Sequence, residues 1–130
     1  MDAAQALAEL TELSSQVERA VVLGPSGAVV GATPEDGEPA DELARAARDL
    51  LAAAGQLHPS GGDVTRVEVE LAEGGLFVLR EGERTIAATT GPSPTAGLVA
   101  YDLRTCLQRI DDEKPKRRRS PRKPKEQADE

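Results

Sequence analysis

The heptapeptide TRVEVEL, from Thr65 to Leu71, decides the fold of this 130-residue chain. Apolar and charged residues alternate along it after the opening threonine, and successive side chains of an extended strand point to opposite faces. The pattern therefore predicts a half-buried strand with one solvated face. A charged face is typical of a strand at the edge of a sheet, because charges discourage random pairing with other chains.

Such an edge can still accept one specific partner, and the simplest partner is a second copy of the chain. Two antiparallel registers keep like faces together. A two-fold axis at Glu68 places two glutamates opposite each other, which is unfavourable. An axis at Val67 places Arg66 opposite Glu68 on both sides. We favour the register centred on Val67.

The composition points to self-association independently of the strand. Hydrophobic residues make up 38% of the chain, many of them alanine, and Phe77 and Tyr101 are its only aromatic residues. Such a core buries little apolar area per residue, so we expect a dimer to supply part of the stability.

Charge divides the chain into an acidic body and a basic tail. Residues 1–113 carry eight arginines, no lysine and 20 acidic residues, a net charge of −12, whereas residues 114–130 carry a net charge of +5. The body is therefore a poor candidate for nucleic-acid binding.

The first half of the chain predicts a helix, a hairpin and a second helix. Asp2 and Gln5 have the spacing of a capping box, and we expect the helix that they open to run to about Glu18. Two apolar strands, within residues 20–32, flank the turn Gly24-Pro25-Ser26-Gly27. The second helix spans residues 39–57, with Pro39 in its first turn.

The second half predicts three strands and a closing helix. The strands lie between Val64 and Thr89, with a tight turn at Gly74-Gly75, and form an antiparallel meander. The closing helix starts near Ser93-Pro94 and carries Cys106 on its inner stripe.

The apolar positions of helix 39–57 are Leu43, Ala46, Ala47, Leu50, Leu51, Ala53, Ala54 and Leu57. Their arc covers roughly half of the helix circumference, which is wider than the ~100° stripe of a single packing surface. We expect this helix to lie on its own sheet and also beside its copy in a dimer.

The candidate chemical groups do not build an active site. We interpret His58, the only histidine, as a solvated loop residue, and Cys106, the only cysteine, as a buried structural thiol. One cysteine and one histidine exclude a conventional zinc site built from those ligands. The glycine-rich turns lack the spacing and the lysine of a P-loop. We interpret Glu68 and Glu70 as a solvated charged face, and we predict no catalytic, cofactor-binding or metal-binding residues.

Residues 112–130 predict a disordered tail, because they cannot bury enough apolar surface to offset the entropy of ordering. The simplest interpretation is that this tail only increases solubility. The alternatives are electrostatic docking on an anionic lipid surface, on nucleic acid without sequence specificity, or on the acidic body. The residues that would carry such docking are Lys116, Arg117, Arg118, Arg119, Arg122 and Lys123. The sequence shows no signal peptide and no apolar run that could span a bilayer, so we expect a cytoplasmic protein.

The order helix, two strands, helix, three strands, helix, together with its patterning, resembles the Roadblock family, also called the dynein light-chain Roadblock type. The likeness covers residues 3–110. The matching segments are 20–23 with 27–30, the Ala/Leu-rich helix 39–57, the strand 67–70, the hairpin segment 74–78 and the closing helix from Ala96 to Leu103. The turn Gly24–Gly27 departs from the Asp-Gly common in the family, and the basic tail lies outside the family pattern.

The resemblance implies an α+β, profilin-like fold in residues 1–111. Its five-stranded antiparallel sheet, of order 2-1-5-4-3, has one helix on one face and two on the other. It also implies homodimers or heterodimers whose middle helices and third strands pair. Members lack catalytic residues and act as adaptors or regulators of Ras-like small GTPases, in bacteria often alongside a sensor kinase.

On this basis we predict a dimer interface at Leu43, Ala46, Ala47, Leu50, Ala54, Thr65, Val67 and Val69. We predict a surface for the GTPase at Asp41, Glu42, Arg45, Arg48 and Asp49. Two alternatives remain open: a scaffold that is tethered to an acidic polymer or membrane by its tail, and a small-molecule sensor of profilin-like shape.

Overall fold

A computed structural model describes residues 1–34, 37–57 and 64–110, and for residues 37 and 38 it describes the backbone alone. The elements, in chain order, are α1 (Ala3–Leu13), β1 (Val17–Leu23), β2 (Val29–Thr33), α2 (Gly37–Gly55), β3 (Arg66–Leu71), β4 (Gly74–Glu81), β5 (Arg84–Thr90) and α3 (Ala96–Arg109). The predicted roles of His58 and of the tail 112–130 fall outside the described residues.

The five strands form one antiparallel sheet in the order β2-β1-β5-β4-β3. β3 lies at the edge, paired on one side with β4 from Arg66 opposite Leu79 to Leu71 opposite Gly74. The prediction of an edge strand at residues 65–71 is therefore confirmed, and so are the sheet order and the α+β class.

The three helices divide between the two faces of the sheet as predicted. α1 and α3 cover one face, where Leu7, Ile86 and Leu103 are fully buried. α2 covers the other face, with Ala47 packed among Val21 and Val78. The predicted capping box opens α1, since the Gln5 N–H donates to Asp2 Oδ1 (2.9 Å) and the Asp2 N–H donates to Gln5 Oε1 (3.0 Å).

The predicted end of α1 is wrong by five residues. The helix ends at Leu13, its C-cap Ser14 has extended backbone, and β1 begins at Val17 rather than at Ala20. Val17 fits the apolar stripe of a helix, but the structure pairs it with Thr90 of β5. The other helix boundaries shift less: α2 spans 37–55 instead of 39–57, and α3 starts at Ala96 rather than near Ser93.

The predicted turn at Gly74-Gly75 is also wrong, because both glycines begin β4 and the turn lies at Ala72-Glu73. The glycines are needed for close packing instead. A Cβ on Gly74 would lie 2.2 Å from the backbone oxygen of Thr90. A Cβ on Gly75 would lie 2.9 Å from the Thr90 Oγ1, which accepts a hydrogen bond from the Gly75 N–H (3.1 Å).

Cys106 lies on the inner face of α3 and is buried, as predicted. Burial disfavours the charged thiolate and raises the pKa of the Cys106 thiol from 9.0 to about 11. At neutral pH the side chain is a neutral thiol packed in the α1/α3 core, which explains why it serves as a small apolar residue.

We expect Gly74→Ala to lower the free energy of unfolding by about 2–3 kcal/mol, because the new methyl group meets backbone that cannot move aside. The matched control is Gly97→Ala in α3, where a Cβ meets nothing within 4 Å. The control should be neutral or stabilise by up to about 1 kcal/mol. Urea unfolding of both variants tests this, and equal stabilities would contradict the packing role.

The thiol of Cys106 predicts a pH dependence of stability. The pKa of this thiol is higher in the folded state than in the unfolded state, so above pH 9 the unfolded chain loses the proton first. The contribution of the thiol to the free energy of unfolding is therefore complete below pH 9 and is lost as the pH rises toward 11. The difference in unfolding free energy between the wild type and Cys106→Ala should shrink by roughly 1–2 kcal/mol over that window. Urea unfolding across this pH range measures it, and parallel curves for the two proteins would refute the prediction.

Candidate interaction surface at the open sheet edge

The outer side of β3 presents unpaired backbone groups. Thr65 directs its C=O inward, where it accepts a hydrogen bond from the Arg80 N–H (2.9 Å). Because these directions alternate along a strand, Arg66, Glu68 and Glu70 direct their N–H and C=O groups away from β4. β3 can therefore add a further strand through these three residues.

The opposite edge of the sheet, β2, is less suited to pairing. The register between β1 and β2 shifts at Val22/Leu23, which is the mark of a β-bulge, and β2 is followed at once by Pro34. Bulges and prolines are devices that stop edge strands from adding partners. The pairing of β3 with β4, by contrast, is regular over all six residues of β3.

The two faces of β3 differ in character. On the α2 side, Val67 is half-buried and packs against the cluster around Val78. On the other side, Arg66 Nε lies 2.9 Å from Glu68 Oε2, with 48% and 34% of the two side chains exposed. On this face α3 packs on β4 and β5, and α1 packs on β1 and β2. The charged side chains of Arg66 and Glu68 therefore lie at the margin of the layer that α1 and α3 form.

A groove of about 520 Å³ lies beside β3 on the α2 face. One wall is the N-terminal half of α2, including Leu43 and Ala46, and the other is the β3–β4 hairpin, including Leu71 and Leu76. Leu71 is 57% exposed, and Leu57, just after α2, is 84% exposed. Apolar surface therefore borders the open edge on this face.

The structure brings the predicted interface residues into two neighbouring elements, but not all to the surface. Leu43 and Ala47 are buried against the chain's own sheet, which leaves little of them for a second chain. Ala46, Leu50, Ala54, Val67 and Val69 are half-buried, and Thr65 is exposed. The exposed Leu57 and Leu71 were absent from the predicted set, although Leu71 belongs to the same alternation as Val67 and Val69.

All five residues of the predicted partner surface, Asp41, Glu42, Arg45, Arg48 and Asp49, are exposed on α2. Arg48 already has a structural contact, since its Nη1 donates to the backbone oxygen of Gly27 (2.7 Å) and so ties α2 to the β1–β2 turn. Glu42 also lines the groove beside β3.

Within residues 1–34, 37–57 and 64–110, no group of three or more His, Cys, Asp or Glu residues could hold a metal ion. Over the same ranges, no helix is both long and apolar enough to cross a bilayer. What the site offers is a strand edge, an apolar groove and a charged helix surface, which can bind another macromolecule.

Comparisons with known proteins agree with this picture. The model of the Roadblock/LC7 domain family matches residues 3–90. A Roadblock/LC7 domain from Streptomyces avermitilis is 27% identical and superposes with a TM-score of 0.72, over 83% of this chain and 93% of that one.

Two more distant structures share the fold. The gliding protein MglB from Thermus thermophilus is 18% identical, with a TM-score of 0.66 over 80% of this chain and 82% of that one. Profilin from Schizosaccharomyces pombe is 16% identical, with a TM-score of 0.50 over 72% and 84% of the two chains. No curated protein matches the chain by sequence. With its family model matching more than half of its length, this chain belongs to the Roadblock/LC7 domain family.

Proposed function

We propose that the protein is a non-catalytic homodimeric adaptor or regulator of a Ras-like small GTPase, acting in the cytoplasm. Membership of the Roadblock/LC7 family and the fold shared with MglB support this proposal. The observation that carries it is the open, regular edge of β3 beside the apolar groove.

The dimer joins two sheets through their β3 strands. In the register centred on Val67, an antiparallel copy of β3 satisfies the outward N–H and C=O groups of Arg66 and Glu68, and it joins the five strands of each chain into one continuous sheet. In the same arrangement α2 of the second copy lies over the edge and covers the groove. This contact removes Leu71 and Leu57 from water, and a fully buried leucine contributes about 1.5–3 kcal/mol.

Pairing places two α2 helices side by side on one face of the dimer. Their outer surface carries Asp41, Arg45 and Asp49, which are exposed in each chain. A rigid pair of helices with mixed charges can recognise a partner through its shape and through electrostatic complementarity, and this requires no reactive group. We assign the GTPase to this surface.

The alternative is a scaffold that is tethered by its basic tail to an acidic polymer or an anionic membrane. The observation that favours it is the reversal of charge along the chain, from −12 in residues 1–113 to +5 in residues 114–130. Anionic surfaces attract clusters of Lys and Arg within about a Debye length.

We expect Leu71→Asp to weaken the dimer roughly 100-fold, because each dimer loses two buried leucines. The matched control is Leu13→Asp in α1, a residue that is 68% exposed on the other face of the sheet. The control should leave the dimer intact. Sedimentation equilibrium of both variants at micromolar concentration measures this, and a monomeric wild type would overturn the proposed assembly.

We expect the full chain to bind at least one Ras-like GTPase of its own cell with an affinity that depends on the bound nucleotide. Each purified GTPase, loaded with GDP or with a non-hydrolysable GTP analogue, is titrated against the wild type and a chain lacking residues 112–130. A GTPase regulator retains GTPase binding without the tail. A tethered scaffold instead loses its attachment to the acidic polymer or membrane. Failure of every GTPase to bind in either nucleotide state would refute the first proposal.

A further inference from the structure

The ion pair between Arg66 and Glu68 lies at the one place where β3 can meet another chain. Both side chains lie on the face opposite α2, with Arg66 Nε 2.9 Å from Glu68 Oε2, and both remain partly exposed. An exposed pair of this kind contributes little to the stability of one chain. Its location at the open edge puts it in direct reach of any strand that pairs with β3.

Both residues direct their backbone groups outward, so an antiparallel partner strand forms its narrow hydrogen-bonded pairs at these positions. The Cα atoms of residues opposite each other in such pairs lie about 5.5 Å apart, and their side chains share one face. The charge of the residue opposite therefore contributes directly to the free energy of pairing.

The two possible registers differ in the charges that they bring together. An axis at Glu68 places the two copies of Glu68 opposite each other, with Arg66 opposite the second copy's Glu70. An axis at Val67 places Arg66 opposite the second copy's Glu68, and the reverse. Together with the ion pair inside each chain, the Val67 axis gives a closed ring of four charges in which every neighbour has the opposite sign.

We propose that Arg66 and Glu68 are specificity-determining residues that restrict pairing through β3 to a second copy of this chain. The proposal rests on the dimer of the proposed function and adds its register and its selectivity. A partner strand with a different charge order at these positions places like charges face to face, which disfavours pairing. The chain thereby rejects related domains whose backbone edge would fit equally well.

The test is a charge-swapped chain, Arg66→Glu/Glu68→Arg. In the Val67 register the swapped chain regenerates the ring with itself, but with the wild type it places two arginines together and two glutamates together. The matched control swaps a similar pair, Arg104 and Glu81, which lies on the same face away from the edge, with Arg104 Nε 3.5 Å from Glu81 Oε2 and 49% and 45% of the side chains exposed. This control, Arg104→Glu/Glu81→Arg, should mix freely with the wild type.

Equal amounts of tagged wild type and untagged variant are allowed to exchange, and native mass spectrometry counts the three dimers; the tag is needed because the swap leaves the mass unchanged. We expect the swapped chain to form its own dimer and the mixed dimer to be disfavoured about tenfold. High salt should restore mixing, since exposed charges are screened.

Two outcomes overturn the inference while leaving the dimer in place. Free mixing of the swapped chain with the wild type would show that the charges do not select the partner. A swapped chain that pairs with the wild type better than with itself would place the axis at Glu68. A wild type that forms no dimer would instead overturn the proposed function, and this inference with it.

Discussion

The unpaired backbone groups along the outer side of β3 are the constraint on which the rest of the structure depends. Every open sheet has two edges, and this chain treats them differently. β2 is bulged against β1 and is followed by Pro34, whereas β3 keeps an unbroken register with β4. The edge that stays available is the one beside the apolar groove under α2. The regular strand edge and the apolar groove therefore lie side by side, at the edge where a second chain can pair with the sheet.

The modest core is the reason why we expect a second chain to add stability. Small residues allow the layers to approach closely: Ala87 and Ala88 of β5 are fully buried on opposite faces, and Gly74 leaves no space for a Cβ beside Thr90. Such packing makes the sheet well defined, but it buries less apolar area than a core rich in aromatic residues. In the dimer that we propose, association through β3 and α2 removes further leucine surface from water and supplies part of the apolar burial that the monomer lacks.

Periodicity along the sequence predicted the edge strand and the succession of helices and strands, because alternation and helical spacing repeat over several residues of each element. The order of the strands in the sheet and the division of the helices between its faces came from the family resemblance, because periodicity does not say which strands are neighbours. Periodicity failed where one residue satisfies two patterns. Val17 fits both the apolar stripe of α1 and the apolar run of β1, and its pairing with Thr90 assigns it to the strand. Gly74 suits a turn and also a close approach of backbone. The apolar arc of α2 predicted two packing surfaces without dividing the residues between them, and the structure places Leu43 and Ala47 on the chain's own sheet.

In the dimer that we propose, the two faces of β3 separate affinity from selectivity. The α2 face offers Val67 and the exposed Leu71, and burial of apolar side chains favours any partner of roughly complementary shape. The opposite face offers Arg66 and Glu68, whose charges contribute little net energy but respond to the sign of what lies opposite. Since residues of a strand alternate between faces, a single six-residue strand holds both functions. A dimer that relied on the apolar face alone would accept related domains, and one that relied on the charged face alone would dissociate in salt.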